Sequence, residues 1–139
     1  MISNLDLRIH HIGYLVKKID KAANEFVKLG YVISSEKTYD DYRKVDIVFL
    51  TKDALCVELV SPTCEESVVS GLMSRYKNSP YHICYETDDI EATGNTLMNN
   101  GYVAIDEPTP APAIEGRRVQ FFMNGQLGMI ELVEANINQ

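Results

Sequence analysis

Two histidines and two glutamates occur at repeated positions in strand-like segments, where they could bind a divalent metal ion. His11 and His82 open the similar segments HIGYLV and HICYET, and Glu58 and Glu131 lie in VELV and IELV. Nearly the same offset along the chain relates the two histidines and the two glutamates. A carboxylate in an apolar strand is costly to bury unless an opposite charge compensates it. Neutral imidazoles and carboxylates suit Zn, Ni, Co, Mn or Fe(II) better than Ca or Mg, so the pattern predicts one such ion.

Simpler interpretations exist for each residue taken alone. Either glutamate could face solvent, and a single histidine on an apolar strand is more often a structural hydrogen-bonding residue. The repeat favours the metal, because all four positions follow one internal symmetry. His10 neighbours His11 and would point to the other face of a strand. The repeat selects His11, since Tyr81 occupies the position equivalent to His10.

The secondary-structure elements that must position these side chains repeat as well. Strand-like alternation covers about residues 7–15 and 80–87. Helical spacing follows in each half and ends at Gly30 and Gly101, which are placed as helix C-caps. Three strand-like runs then complete each half: 31–35, 45–50 and 55–60 in the first, and 102–105, 119–123 and 129–133 in the second. Pro108, Pro110 and Pro112 predict a loop between strands.

These elements predict an α+β fold in a single domain over residues 1–139. Two tandem βαβββ modules cover about residues 7–62 and 80–135, and a linker helix covers about residues 65–77. One module alone would expose a face of its sheet. We therefore expect the modules to pack with pseudo-twofold symmetry into a cupped, barrel-like mixed sheet, with equivalent residues facing each other.

Composition excludes several function classes. The chain has a formal net charge of −7 and no Lys/Arg run, which argues against nucleic acid as a partner. No stretch approaches the about 18–20 apolar residues of a membrane span. The three cysteines lack C-x-x-C spacing, so a disulfide framework is not expected. With no signal-peptide pattern at the N-terminus, a cytoplasmic protein is the expectation.

The segments around the four residues resemble the vicinal oxygen chelate superfamily, which includes glyoxalase I, methylmalonyl-CoA epimerase, extradiol dioxygenases and bleomycin-resistance proteins. The resemblance rests on HIG at His11, VELVSP around Glu58, YHIC followed by DDI around His82, and GMIEL around Glu131. It implies that all four residues bind one metal ion (Ni, Co, Zn or Mn) and that the protein is a homodimer. At the position of Glu58, epimerases usually have Gln and glyoxalase I has Glu.

The resemblance also implies an enzyme that removes a proton next to a carbonyl or thioester through a metal-bound enediolate. The segments DEP at 106–108 and GRRV at 116–119 favour a methylmalonyl-CoA-epimerase-like enzyme acting on a small acyl thioester. Glu131 and Asp46 are then the predicted proton-transfer residues, with Asp46 matching a strand glutamate that serves as base in the epimerase pattern. Arg117 and Arg118 are candidate contacts for a substrate phosphate or carboxylate.

Two alternatives remain open at this stage. Glyoxalase I (lactoylglutathione lyase), acting on a glutathione hemithioacetal, is favoured by Glu58. It is disfavoured by Leu15, which stands where well-known bacterial glyoxalases place an arginine for glutathione. A non-catalytic small-molecule binding or resistance protein of the same fold would usually lack the full set of metal ligands.

Overall fold

Each half of the chain folds as a strand, a helix and a run of further strands, which confirms the predicted α+β class with two βαβββ modules. The computed structural model describes residues 4–136. Its contacts divide into two units, which we call the first unit (residues 11–81) and the second unit (residues 82–136 with residues 4–10). Among the described residues, no helix is long and apolar enough to cross a membrane.

The first module lies mostly within the first unit. Its strands follow the order β2–β4–β5–β1, with β5 parallel to β1 and antiparallel to β4, and β3 pairs with β4. The elements are β1 (Arg8–Leu15), α1 (Ile19–Lys28), β2 (Val32–Ile33), β3 (Thr38–Asp40), β4 (Val45–Lys52), β5 (Leu55–Pro62) and α2 (Ser70–Tyr76).

The second module repeats this topology. Its strands follow the order β6–β10–β9–β7, with β10 parallel to β6 and antiparallel to β9, and β8 pairs with β9. The elements are β6 (Ser79–Thr87), α3 (Ile90–Asn99), β7 (Val103–Ala104), β8 (Thr109–Pro110), a 3₁₀ turn (Pro112–Ile114), β9 (Arg118–Asn124) and β10 (Gly128–Glu134).

One helix covers one sheet face in each module, and this assigns the faces of the strands. In the first module, α1 packs on a core formed by alternate residues of β4 and β5: Val48, Leu50, Val57 and Leu59. In the second module, α3 packs on the equivalent face, formed by Phe122, Ile130 and Leu132. Residues of opposite parity on these strands therefore point away from the helix. Glu58 and Glu131, two of the predicted metal ligands, have this opposite parity and lie on the sheet face away from the helix.

Both long helices end in the same way. The Gly30 and Tyr31 N–H groups donate to the Val27 and Phe26 carbonyls, which is the Schellman pattern, and Gly30 has a φ of +101°. The second module repeats the motif, with Gly101 at φ +92°. The predicted glycine C-caps are therefore confirmed, because only a residue without a Cβ adopts this backbone conformation at little cost.

Several predicted boundaries differ from the structure. The runs predicted over 31–35 and 102–105 form strands of only two residues each, β2 and β7. Strand β3 lies in a segment for which no strand was predicted, and the linker helix α2 is shorter than the predicted range. Thr109 and Pro110 form a two-residue strand within the predicted proline loop, where Pro110 is paired with Arg118. A proline is tolerated there because β8 pairs on one side only, so the missing N–H faces no partner strand.

Candidate active site

His11 and Glu58 form a buried pair within the first unit. The parallel pairing of β1 and β5 places Gly13 directly opposite Glu58, so the imidazole of His11 lies beside the carboxylate. The His11 Nε2 and Glu58 Oε1 atoms are 3.3 Å apart, and the two side chains are 0% and 6% exposed. The pair therefore offers one nitrogen and one oxygen donor in a nearly dry environment.

His82 and Glu131 form the equivalent pair within the second unit. Here Cys84 lies opposite Glu131 in the parallel pairing of β6 and β10, and it again follows the histidine by two residues. The His82 Nε2 and Glu131 Oε1 atoms are 3.0 Å apart, and the side chains are 0% and 4% exposed. The duplication seen in the sequence has thus preserved both the residue types and their local geometry.

A phenylalanine supports each imidazole, a feature that the sequence analysis missed. The ring centroids of His11 and Phe49 are 5.5 Å apart, and those of His82 and Phe121 are 5.2 Å apart, both edge-on. Phe49 is paired with Glu58 across β4 and β5, and Phe121 with Glu131 across β9 and β10. The offset between the two phenylalanines falls between the offset of the histidines and that of the glutamates. The internal repeat could therefore have identified both phenylalanines from the sequence.

The chemistry of these pairs fits a divalent cation. Two neighbouring ligands at about 2.1 Å from one ion lie about 3 Å apart, which agrees with both nitrogen–oxygen separations. A His–Glu hydrogen bond has a similar length, so the stronger argument is charge. Both carboxylates are almost fully buried, and a bound cation offsets the cost of removing their charge from water. Each unit can therefore supply two ligands.

Asp46 does not share the face of Glu58, and this placement does not support its predicted role as a base. The residue opposite Asp46 on β5 is Ser61, and it alternates along β4 with Ile47 and Phe49. Asp46 therefore lies on the same face of β4 as Val48, and Val48 packs towards α1. Because side chains alternate along a strand, the carboxylate of Asp46 points to the helix side of the sheet.

Asp40 is a buried carboxylate that the sequence analysis missed. It is paired with Val45 on β4, so its side chain lies on the same face of the sheet as Phe49, and it is only 1% exposed. Its Oδ2 atom accepts a 2.8 Å hydrogen bond from the Arg43 guanidinium, and its Oδ1 atom accepts a 3.0 Å bond from the Arg43 backbone N–H. Ser67 donates to the Arg43 carbonyl. These contacts fix the turn between β3 and β4.

The two candidate arginines of the second module form ion pairs within the second unit. Arg117 pairs with Glu86, and Arg118 pairs with Glu134 and Glu91 at 3.0 and 2.6 Å. The hydrogen bonds to Glu134 and then to Glu91 raise the pKa of Arg118 above its ordinary value. Their charge is thus already compensated, so nothing in these contacts supports the predicted binding of a substrate phosphate.

Cys56 lies two residues before Glu58 on β5. Burial, and then the nearby charge of Glu58, raise the pKa of its thiol. A thiol with a raised pKa stays protonated at neutral pH and is a poor nucleophile.

The fold and these pairs define a class of protein. The chain belongs to the glyoxalase/bleomycin resistance protein/dioxygenase superfamily, whose family model matches residues 10–121. It is 27% identical to the ethylmalonyl-CoA/methylmalonyl-CoA epimerase of Cereibacter sphaeroides, over 91% of this chain and 98% of that protein.

Solved structures of methylmalonyl-CoA epimerases have the same fold. The enzyme from Mycobacterium tuberculosis matches with a TM-score of 0.83 at 20% identity, over 99% of this chain and 95% of that one. A methylmalonyl-CoA epimerase in complex with methylmalonyl-CoA and NH4+ matches with a TM-score of 0.80 at 21% identity, over 94% and 96% of the two chains. The resemblance found in the sequence is therefore confirmed at the level of the family and the fold.

Proposed function

We propose that this protein is an epimerase of methylmalonyl-CoA or a closely similar acyl-CoA thioester, and that it uses one divalent metal ion bound by His11, Glu58, His82 and Glu131. The observation that carries the proposal is the occurrence of two buried His–Glu pairs in the same strand register. The relationship to the Cereibacter sphaeroides epimerase supports the choice of substrate. A homodimer is part of the same proposal, and light scattering tests it.

The residues have distinct tasks in this proposal. A bound divalent ion would act as a Lewis acid that polarises the thioester carbonyl. Glu131 would accept the proton from the carbon next to that carbonyl through a carboxylate oxygen that is not engaged with the ion, and general-base catalysis of this kind contributes about 10²–10⁴-fold. A proton delivered from water to the opposite face of that carbon completes the inversion. The contact of Glu131 with His82 at 3.0 Å holds the carboxylate in place. The phenyl ring of Phe121 packs edge-on against the imidazole and helps to orient it.

A second candidate function has one observation in its favour. Glyoxalase I, in the family pattern, has Glu where this chain has Glu58, whereas epimerases usually have Gln. The same carboxylate chemistry would then act on a glutathione hemithioacetal. Conversion of methylglyoxal and glutathione by the purified protein, without hydrogen exchange on methylmalonyl-CoA, would favour glyoxalase I.

Metal content and hydrogen exchange test the proposal together. Elemental mass spectrometry is applied to the wild type, His82→Ala and Glu131→Ala, and exchange of the α-hydrogen of methylmalonyl-CoA is followed in deuterium oxide. The expected result is about one ion per chain, lost in both variants along with exchange. His10→Ala is the matched control, because it removes the neighbouring imidazole on the same strand, and it should keep both.

The outcomes separate the two parts of the proposal. Metal without exchange would retain the site and reject the epimerase. Wild-type protein that binds no Ni, Co, Zn or Mn after loading would reject the metal site and leave a non-catalytic binding protein of this family.

A further inference from the structure

A strip of apolar side chains lies beside Glu131 within the second unit. Met129 precedes Glu131 by two residues on β10, so both side chains lie on the sheet face away from α3. Met123 is paired with Met129 across β9 and β10, and Val103 is paired with Met123 across β7 and β9. The strip continues past the end of β7 to the next residue of its parity. We call it the apolar wall and define it by four residues: Val103, Ile105, Met123 and Met129.

Hydrogen bonds hold Ile105 against β9. Its backbone N–H donates to the Phe121 carbonyl at 2.9 Å, and the Phe121 N–H donates to the Asp106 carboxylate at 2.8 Å. The register of β7 with β9 continues to this position, which places the Ile105 side chain on the sheet face that carries Glu131. The backbone on which the apolar wall stands is therefore fixed.

The apolar wall is exposed to solvent. Val103, Ile105 and Met123 are 66%, 49% and 41% exposed. An exposed apolar surface next to polar residues that can do chemistry is typical of a ligand site. Methionine suits such a site because its unbranched, flexible side chain adapts to ligands of different shapes. The position beside Glu131 favours an apolar part of the substrate as the occupant.

The equivalent positions of the first module carry smaller and more polar side chains. Thr51 is paired with Cys56 across β4 and β5, in the place of the two methionines. The Ser34 N–H donates to the Phe49 carbonyl at 2.8 Å, which is the hydrogen bond that Ile105 makes in the second module. The offsets between these positions span the same range as the offsets of the four predicted ligands. The apolar wall is therefore particular to the second module and is not a requirement of the fold.

We propose that the apolar wall binds the hydrocarbon branch on the reacting carbon of the acyl group and thereby selects acyl thioesters whose branch is longer than methyl. The assignment rests on the proposed function, because Glu131 as the base places that carbon beside the wall. A methyl branch covers little of the wall, whereas each further methylene that the wall removes from water strengthens binding by up to about fourfold. The substrate class is therefore a 2-alkylmalonyl thioester, with methylmalonyl as its smallest member.

Exchange of the α-hydrogen in deuterium oxide, on racemic methylmalonyl-CoA and racemic propylmalonyl-CoA, measures this selection. The propyl branch has two additional methylenes, so the wild-type kcat/KM should favour it by about tenfold. The variant Ile105→Ser/Met123→Thr introduces the residues of the first module and should reduce this preference to less than about threefold. Both positions are exposed, so the variant should fold, and circular dichroism checks this.

The matched control is Ile33→Ser/Met98→Thr, which makes the same two chemical changes elsewhere. Met98 is 42% exposed on α3, and Ile33 is 48% exposed and paired with Leu50, which packs towards α1. The control therefore changes residues on the helix sides of the two sheets. It should keep the wild-type preference for the propyl branch within about twofold.

Three results would overturn the assignment. They are a wild type without preference for the propyl branch, an equal loss of kcat/KM for both thioesters in the wall variant, and an equal loss of preference in the control. Light scattering adds a fourth, since a dimer that only the wall variant converts into a monomer would assign the wall to contact with a second copy of the chain.

Calorimetric binding of the same two thioesters separates this assignment from the proposed reaction. Wall-dependent, tighter binding of propylmalonyl-CoA by a protein that exchanges no hydrogen would retain the apolar wall and reject the epimerase. Exchange on methylmalonyl-CoA without any effect of branch length would retain the epimerase and reject the wall. Neither exchange nor a preference in binding would reject both.

Discussion

Replacing Glu58 by Gln distinguishes a metal ligand from an ordinary buried hydrogen-bonding residue. The substitution keeps the size of the side chain and removes its charge. Because the Glu58 side chain is only 6% exposed, the cost of removing its charge from water opposes folding in the absence of metal. With a chelator present, Glu58→Gln should therefore unfold at the same temperature as the wild type or at a higher one.

Metal should reverse this order. An ion present at 100 times its dissociation constant stabilises the wild type by about 2.7 kcal/mol. If loss of one ligand weakens binding about 100-fold, the same concentration stabilises the variant by only about 0.4 kcal/mol. For a chain of 139 residues this corresponds to a rise in Tm of about 10 °C for the wild type and about 1–2 °C for the variant.

Differential scanning fluorimetry measures this directly, with Co, Ni, Zn or Mn added singly after treatment with a chelator. His10→Ala serves as the control and should gain as much as the wild type. An equal gain in Tm for the wild type and Glu58→Gln would refute the reasoning, since Glu58 would then contribute nothing to metal binding.

Further predictions concern the fold and the site. Phe122→Ala should lower the free energy of unfolding by about 3–5 kcal/mol, because the ring is fully buried under α3. Asp89→Ala should cost about 1 kcal/mol through loss of the α3 cap, whereas Lys18→Ala at the equivalent position of α1 should cost less than about 0.5 kcal/mol. Arginine hydrogen bonds hold the pKa of Glu86 below 4.5, so its stabilisation is present above that pH and lost as the pH falls through the folded-state pKa. Glu86→Gln should therefore be less stable than the wild type near pH 7 and equally stable in acid. Asp46→Asn should leave the rate of hydrogen exchange unchanged, since its side chain points to the helix side of the sheet.

Urea unfolding measures the predicted changes in stability at Phe122, Asp89 and Glu86. A specific result would contradict each prediction. Met123→Ala, at a 41% exposed neighbour of Phe122, is the control for the core and should change stability much less. Equal costs for Asp89→Ala and Lys18→Ala would contradict the capping argument. A difference between Glu86→Gln and the wild type that is independent of pH would contradict the pKa argument. A large loss of exchange in Asp46→Asn would support Asp46 as a base.

The repeated architecture and the four ligand candidates were predictable from sequence because duplication left a strong local record. His11 and His82 open similar strands, and Glu58 and Glu131 lie within similar ones, so nearly one offset relates both pairs. Gly30 was predictable for a different reason, since a positive φ at a helix end strongly favours glycine. These features depend on residues that are close together in the chain or related by the repeat.

Tertiary structure decided on which face of the sheet each strand residue lies. The segment VDIVFL of β4 is apolar on both faces, because one face meets α1 and the other surrounds the buried His11–Glu58 pair. Alternation of polar and apolar residues therefore could not orient Asp46. Its orientation follows from the register with β5, which pairs Phe49 with Glu58 and leaves Asp46 on the opposite face.

Contacts between distant segments account for the other features that sequence did not reveal. Asp40 became recognisable as a buried residue only when β3 paired with β4, and a three-residue strand has too little pattern to be predicted. Sequence alone determined the modules and the residue types that could do chemistry. Strand pairing and packing decided which side chains meet, because those contacts join residues that no local pattern relates.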